Sequence, residues 1–191
     1  MTLPSPGDKA VAILNSARGL MMDRGYNGFS FRDVATEVGI KSASIHYHYA
    51  TKADLAEATT KAYREAFSDA TDRLAGPNAT SLLRAYGALF VTTLQDQGGL
   101  CLGGVLAADA ATLPDQVRAE VVAFFDQQHE WVAGVLRDGQ ASGEIRRDLD
   151  TDAFAKMFVS SLEGAMMVSR AIEQPEDLEA ALDLFIRLIQ A

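Results

Sequence analysis

Side chains able to do chemistry are few in this chain: three histidines, one cysteine and scattered carboxylates. Two histidines, His46 and His48, fall in one run, "GIKSASIHYHYATKADL" (residues 39–55), with Tyr47 between them and Tyr49 after. Such a cluster suits a metal site, a catalytic histidine pair or a surface that reads a partner, and the backbone decides which. On a strand the two histidines could share a metal. On a helix, at 3.6 residues per turn, they diverge by about 200° and cannot.

Other chemistries lack their signatures. Di-iron bundles need paired Glu-x-x-His motifs, and none occurs; a zinc site would need scattered ligands. A serine nucleophile elbow, a P-loop and a dinucleotide glycine motif are also missing from the sequence. A helical small-molecule-binding enzyme or metal-binding bundle is therefore only an alternative, and no cofactor is expected.

The elements that must position these residues read almost wholly as helices. Hydrophobic residues make up 48% and charged residues 23% of 191, which suits a globular domain and not a disordered chain. No apolar run reaches the roughly 18 residues of a membrane span, and "MTLPSPGDK" has no secretory pattern. Residues 1–8 read as a frayed tail. One cysteine excludes an internal disulfide framework and fits a reducing compartment, so a cytoplasmic location is expected.

Apolar positions 10, 13, 14, 17, 20 and 21 repeat at helical spacing, and Gly25 is a plausible stop. After the turn "YNGFS", Ser30 can cap a helix carrying Phe31, Val34, Ala35 and Val38, which Gly39 ends. Lys41 or Ser42 opens another helix to about Tyr49, and Thr51 caps a fourth that "AGPN" stops. Further helices are predicted near 79–96, 101–111, 114–140, 151–173 and 175–190, with Pro114 and Pro175 at helix starts. The glycine pairs 98–99 and 103–104 are expected to loosen the region around Cys101. No window alternates strongly with period two, so the fold class is all-α.

Ala35 lies where two helices would cross closely. Gly39 permits a positive φ in the turn, and Ile45 plugs the angle from the second helix, with Val34, Val38 and Ile40 between. That spacing is a helix-turn-helix. With Ile45 and Tyr49 inward, the outer face carries Ala43, Ser44, His46 and Tyr47, and His48 lies on its flank. These groups suit base edges and phosphates in a major groove, and the helix start at Lys41 and Ser42 favours phosphate. The histidine run reads as a recognition surface. Charge agrees: residues 1–55 hold six Lys or Arg against five acids, net +1, whereas the rest holds 11 against 21, net −10. Only the first part tolerates a polyanion nearby.

"FSFRDVATEVGIKSASIHYHYATKADL" resembles the DNA-binding module of the tetracycline-repressor (TetR) family of bacterial regulators, over roughly residues 9–56. Lys52 and Leu55 match the Lys and Leu that follow that family's recognition helix. The resemblance implies that Lys41, Ser42, Ala43, Ser44 and His46 face operator DNA. It also implies that Tyr47, His48, Lys52, Ser30 and Arg32 approach the DNA backbone. Ala50 stands where the family usually has Pro, and Tyr49 where it usually has Phe; the first would loosen the turn slightly.

Residues 9–55 are thus expected to form the DNA-binding domain and residues 56–191 a ligand-binding and dimerisation domain. The resemblance implies a homodimer built by the last two helices, and their apolar stripes agree. These are Phe154, Phe158, Leu162, Met166 and Val168 on one helix, and Leu178, Leu182, Phe185, Ile186 and Ile189 on the other. Two modules at half-sites ~34 Å apart, or a related spacing, bind usefully where one binds weakly.

Helix 114–140 carries two apolar faces, Val117, Val121, Phe124, Trp131 and Val135 on one, Val122, Phe125, Val132 and Leu136 on the other. It is expected to line a mainly apolar pocket with His129 and Glu163 as polar anchors; each is otherwise an ordinary satisfied polar residue. Candidate ligand-binding residues are Tyr86, Phe90, Cys101, Phe125, His129, Phe158 and Glu163. Cys101 resembles a cysteine of electrophile-responsive members of the family, which implies sensing of reactive carbonyls or oxidants; an inert buried thiol is the other reading. The expected function is that of a transcriptional regulator, most simply a repressor released from its operator by a small apolar or reactive effector.

Overall fold

The computed structural model describes residues 6–97 and 99–190. Among these residues there are nine helices: α1 (Pro6–Arg24), α2 (Phe31–Val38), α3 (Ser42–His48), α4 (Lys52–Asp72), α5 (Ala79–Gln97), α6 (Leu102–Ala108), α7 (Asp115–Ser142), α8 (Thr151–Ala171) and α9 (Glu176–Ile189). The only extended pairing among them is one bridge between Ile145 and Gln190. The fold is all-α, as the periodicity predicts. Of the expected tail, residues 1–5 lie outside the described residues, and α1 already begins at Pro6.

The chain divides into two compact units. The first comprises residues up to Ala66 together with Leu102–Phe124, and the second Phe67–Cys101 together with Phe125–Ala191. In the first, α1 packs on α2 and α6, and α2 on α3. Its core takes Ile13, Ala17, Leu20 and Met21 from α1, with Phe29, Val34, Ala35, Ile45 and Leu55. In the second, α5 packs on α8 and α9, which pack on each other. Tyr86, Phe90, Phe158, Leu162, Met166, Leu182 and Ile186 fill the space between them.

Two expectations need correction. The pair Gly103 and Gly104 does not loosen the chain: both are buried within α6. A Cβ on Gly103 would stand 2.3 Å from the Phe124 ring, so the missing side chain permits close packing. Gly98 lies outside the described residues. On α7, Val122 is not a core residue; it is 54% exposed. A helix with two apolar stripes does not by itself say which of them is covered.

Boundaries otherwise shift by a residue or two, save at α6, which stops at Ala108 instead of continuing to 111. There the chain turns, with Thr112 N–H bonded to the Asp109 carbonyl. The Asp109 carboxylate accepts from the Tyr26 N–H at 2.8 Å, a partner no local pattern announces.

Candidate nucleic-acid interface and buried polar cluster

Local chemistry builds the reading module. Ser30 caps α2, its hydroxyl accepting from the Asp33 N–H and donating to the Asp33 carboxylate at 2.5 Å. That bond, above all, holds the Asp33 carboxyl below its usual range. Gly39 ends α2 with φ of 71°, the left-handed region, where its lack of a Cβ removes a steric penalty. Thr51 and Asp54 form a reciprocal capping box at α4: Thr51 N–H donates to the Asp54 carboxylate at 2.9 Å, and Asp54 N–H to the Thr51 hydroxyl at 3.1 Å.

Between these caps, α3 is anchored by one fully buried residue, Ile45. Tyr49 is half-buried, and burial raises its phenol pKa. Lys41, Ala43, Ser44, His46, Tyr47 and His48 are exposed, Ser42 less so. Tyr47 is 86% exposed, its ring edge-on to His48 at 5.2 Å. An aromatic so little used by packing is available to a partner. His46 lies edge-on to Phe31 at 4.6 Å, and its Nδ1 is 3.3 Å from the Ala50 carbonyl. A carbonyl only accepts, so this contact calls for the proton on Nδ1, which in the neutral tautomer leaves Nε2 as the acceptor.

Ser30 and Arg32 are exposed at the start of α2. The Lys52 ammonium sits over the Tyr26 and Phe29 rings at 4.7 and 4.5 Å. Burial lowers its pKa, and the nearby Asp33 charge opposes that shift. Aromatic contact therefore holds the Lys52 side chain in one direction.

The expected ligand residues divide into two groups within the second unit. Tyr86, Phe90, Cys101, Phe158 and Glu163 come together in its interior. Tyr86 lies 5.4 Å from Phe90 and 6.0 Å from Phe158 between ring centroids, and Cys101 hydrogen-bonds Glu163. Burial pushes the Glu163 carboxyl up to about 7, with the thiol's bond pulling the other way. The Tyr86 phenol is raised by its own burial and by the Glu163 charge.

Phe125 and His129 are less buried than these five. They stack on each other, half-exposed. His129 lines a separate open cleft of about 360 Å³ with Asp126, Glu130, Ala133, Arg137, Asp152 and Lys156. Arg137 is already paired there with Glu130 and Asp152. Burial, foremost, lowers the His129 pKa.

Sequence reasoning missed Gln128, 2% exposed and bonded to the Tyr86 hydroxyl. A signal existed: residue 128 is the unnamed position in the series 117, 121, 124, 131 and 135. It also passed over Phe67 and Trp131 as companions of Tyr86. Among the described residues, no three His, Cys, Asp or Glu side chains converge as a metal site. No helix there is long and apolar enough to cross a membrane.

Comparison with known proteins agrees with this geometry. Residues 13–59 match the family model for bacterial regulatory proteins of the tetR family, and residues 79–185 that for the tetracyclin repressor-like C-terminal domain. The HTH-type transcriptional repressor DhaR of Mycobacterium sp. (strain GP1) is 28% identical, over 85% of this chain and 83% of its own. The transcriptional regulator AcuR of Cereibacter sphaeroides is 26% identical, over 87% and 78%. A TetR-family transcriptional regulator from Agrobacterium tumefaciens has 31% identity and a TM-score of 0.90, over 98% of this chain and all of that one. These matches do not favour an enzyme or a metal-binding bundle. The chain belongs to the TetR family of transcriptional regulators.

Proposed function

We propose that this protein is an effector-released repressor that binds a pseudo-palindromic operator as a homodimer. In this reading residues 9–55 serve as the DNA-binding domain and residues 56–191 bind effector and partner. Lys41, Ser42, Ala43, Ser44 and His46 face the operator. Tyr47, His48, Lys52, Ser30 and Arg32 approach the DNA backbone. The carrying observation is the contrast within α3: Ile45 is fully buried, whereas Tyr47 two residues on is 86% exposed.

Exposed apolar residues support the dimer. Met157, Met167 and Val168 on α8, and Leu184 and Leu188 on α9, are each 40% or more exposed. Together they offer a patch suited to a second copy through the same two helices. The effector sits among Tyr86, Phe90, Cys101, Phe158 and Glu163 in the second unit. Helices α4 and α7 contribute residues to both units, so an effector that favours one arrangement of them changes the fit of the paired reading helices. Such a regulator works where DNA is, in the cytoplasm.

Selection of bound fragments from random duplex DNA, repeated at two salt concentrations, tests this reading. A palindromic motif whose enrichment weakens with salt is expected, because neutralised phosphates release counterions. No enrichment at either salt would refute operator binding.

A further inference from the structure

Helices α5, α7 and α8 bring an unusual polar group into the aromatic interior of the second unit. The fully buried Tyr86 hydroxyl donates to Gln128 Oε1. Gln128 Nε2 has no hydrogen-bond partner among the described residues, although Gln128 is only 2% exposed. Glu163, 7% exposed, is likewise without a partner at Oε1, and its charge is felt at Tyr86. Phe67, Phe90, Trp131 and Phe158 stand around Tyr86, with ring centroids 5.4 to 6.0 Å away. Burial and the Cys101 thiol account for the Glu163 shift, with no cation contributing. A buried donor and a buried acceptor, both unmet, the one bonded through its amide to a tyrosine and the other acting on that tyrosine by its charge, are costly features in a packed interior.

We propose that Gln128 Nε2 and Glu163 Oε1 form a head-group subsite for an uncharged alcohol, whose oxygen accepts from the Gln128 amide while its proton is donated to Glu163. The alcohol's apolar body lies against the surrounding rings. This deepens the effector reading above and rests on it for its biological role. The chemistry excludes the alternatives in turn. A carboxylate would place a second negative charge beside Glu163 with no cation to offset it. An ammonium group would satisfy Glu163 but offer only donors to the Gln128 amide. A ketone would accept from Gln128 and have nothing to donate to an ionised Glu163. A hydrocarbon would leave both atoms unmet.

Trp131, the only tryptophan in the sequence, stacks on Tyr86 at 5.4 Å and 17° and supplies the readout. The full-length protein is titrated with benzyl alcohol, toluene, benzylamine and benzoate at a pH of about 8, where Glu163 is ionised, while Trp131 emission is followed. Benzyl alcohol is expected to saturate the emission change at a concentration at least about tenfold below the other three. Gln128→Leu should erase that preference while toluene still binds, and Glu163→Gln, which keeps an acceptor, should retain it. Toluene binding as tightly as benzyl alcohol, or preference for the amine or the acid, would overturn the proposal. A saturable response to none of them would do so too, leaving only buried water as the partner of these atoms. The wild-type series decides the matter if the Leu variant does not fold. Operator binding followed in parallel separates the two readings. Alcohol binding without operator release sinks the effector role and keeps the subsite; release without a Trp131 change does the reverse.

Discussion

In the proposed reading His46 meets DNA with one ring nitrogen already committed. Its Nδ1 faces the Ala50 carbonyl at 3.3 Å, so the neutral ring offers an acceptor at Nε2, matched to the amino group of adenine or cytosine. His46→Ala and Tyr47→Ala should each weaken binding to a selected operator duplex by about tenfold or more. Their thermal transitions should stay almost where they are, because exposed side chains contribute within roughly 0.5 kcal/mol to stability. Anisotropy titrations and melting curves on the same preparations check this; unchanged affinity in both variants would remove this face from the reading role. Glu163 gives a prediction in pH. Its folded carboxyl titrates at about 7, against an ordinary value of 4.5. The folded state therefore binds more protons between those values, and stability falls as pH rises through that window. The loss approaches about 3 kcal/mol. Glu163→Gln should remove most of that fall, seen as a flatter urea midpoint against pH; an equally steep profile in the variant would mean another group titrates.

At the scale of elements, the module is a set of short-range instructions. Ser30 with Asp33, Gly39, and Thr51 with Asp54 mark where helices begin and end within a 25-residue stretch. Helix α3, only seven residues long, is too short to persist alone and is held by Ile45. Ile45→Ala should cost about 2–4 kcal/mol. Gly39→Ala should cost roughly 1 kcal/mol through its φ of 71° alone, since open space surrounds its Cβ position. Denaturant titration of the two variants would show this order; a larger loss for Gly39→Ala would mean the turn, and not the plug, is the weak point. Helix α6 shows the opposite case. Its glycines look like flexibility in a sequence, yet Gly103 is required by the Phe124 ring.

For the whole molecule, the proposed function depends on a second copy. Leu184 and Leu188 are each more than half exposed on α9, so Leu184→Glu combined with Leu188→Glu should leave the protomer folded. The double variant should sediment as a monomer, and its operator affinity should fall with the loss of the paired half-site. A dimer of undiminished stability would move the interface elsewhere. The acidic balance of residues beyond 55, net −10, serves the same end by weakening non-specific DNA affinity.

The sequence by itself determined the all-α class, the helix-turn-helix and the face of α3 that is left outward. Those features are set by caps, by one left-handed glycine and by a helical period, all acting within a few residues of each other. It also singled out Tyr86, Phe90, Cys101, Phe158 and Glu163 as candidates. Only the tertiary structure decided that these five gather while His129 lines another cleft. It likewise decided that Gln128 joins Tyr86, that Val122 is exposed, and that Asp109 meets the Tyr26 N–H. The reason is physical: each such outcome depends on side chains from helices tens of residues apart. Periodicity tells which residues share a stripe, and packing alone tells what covers it.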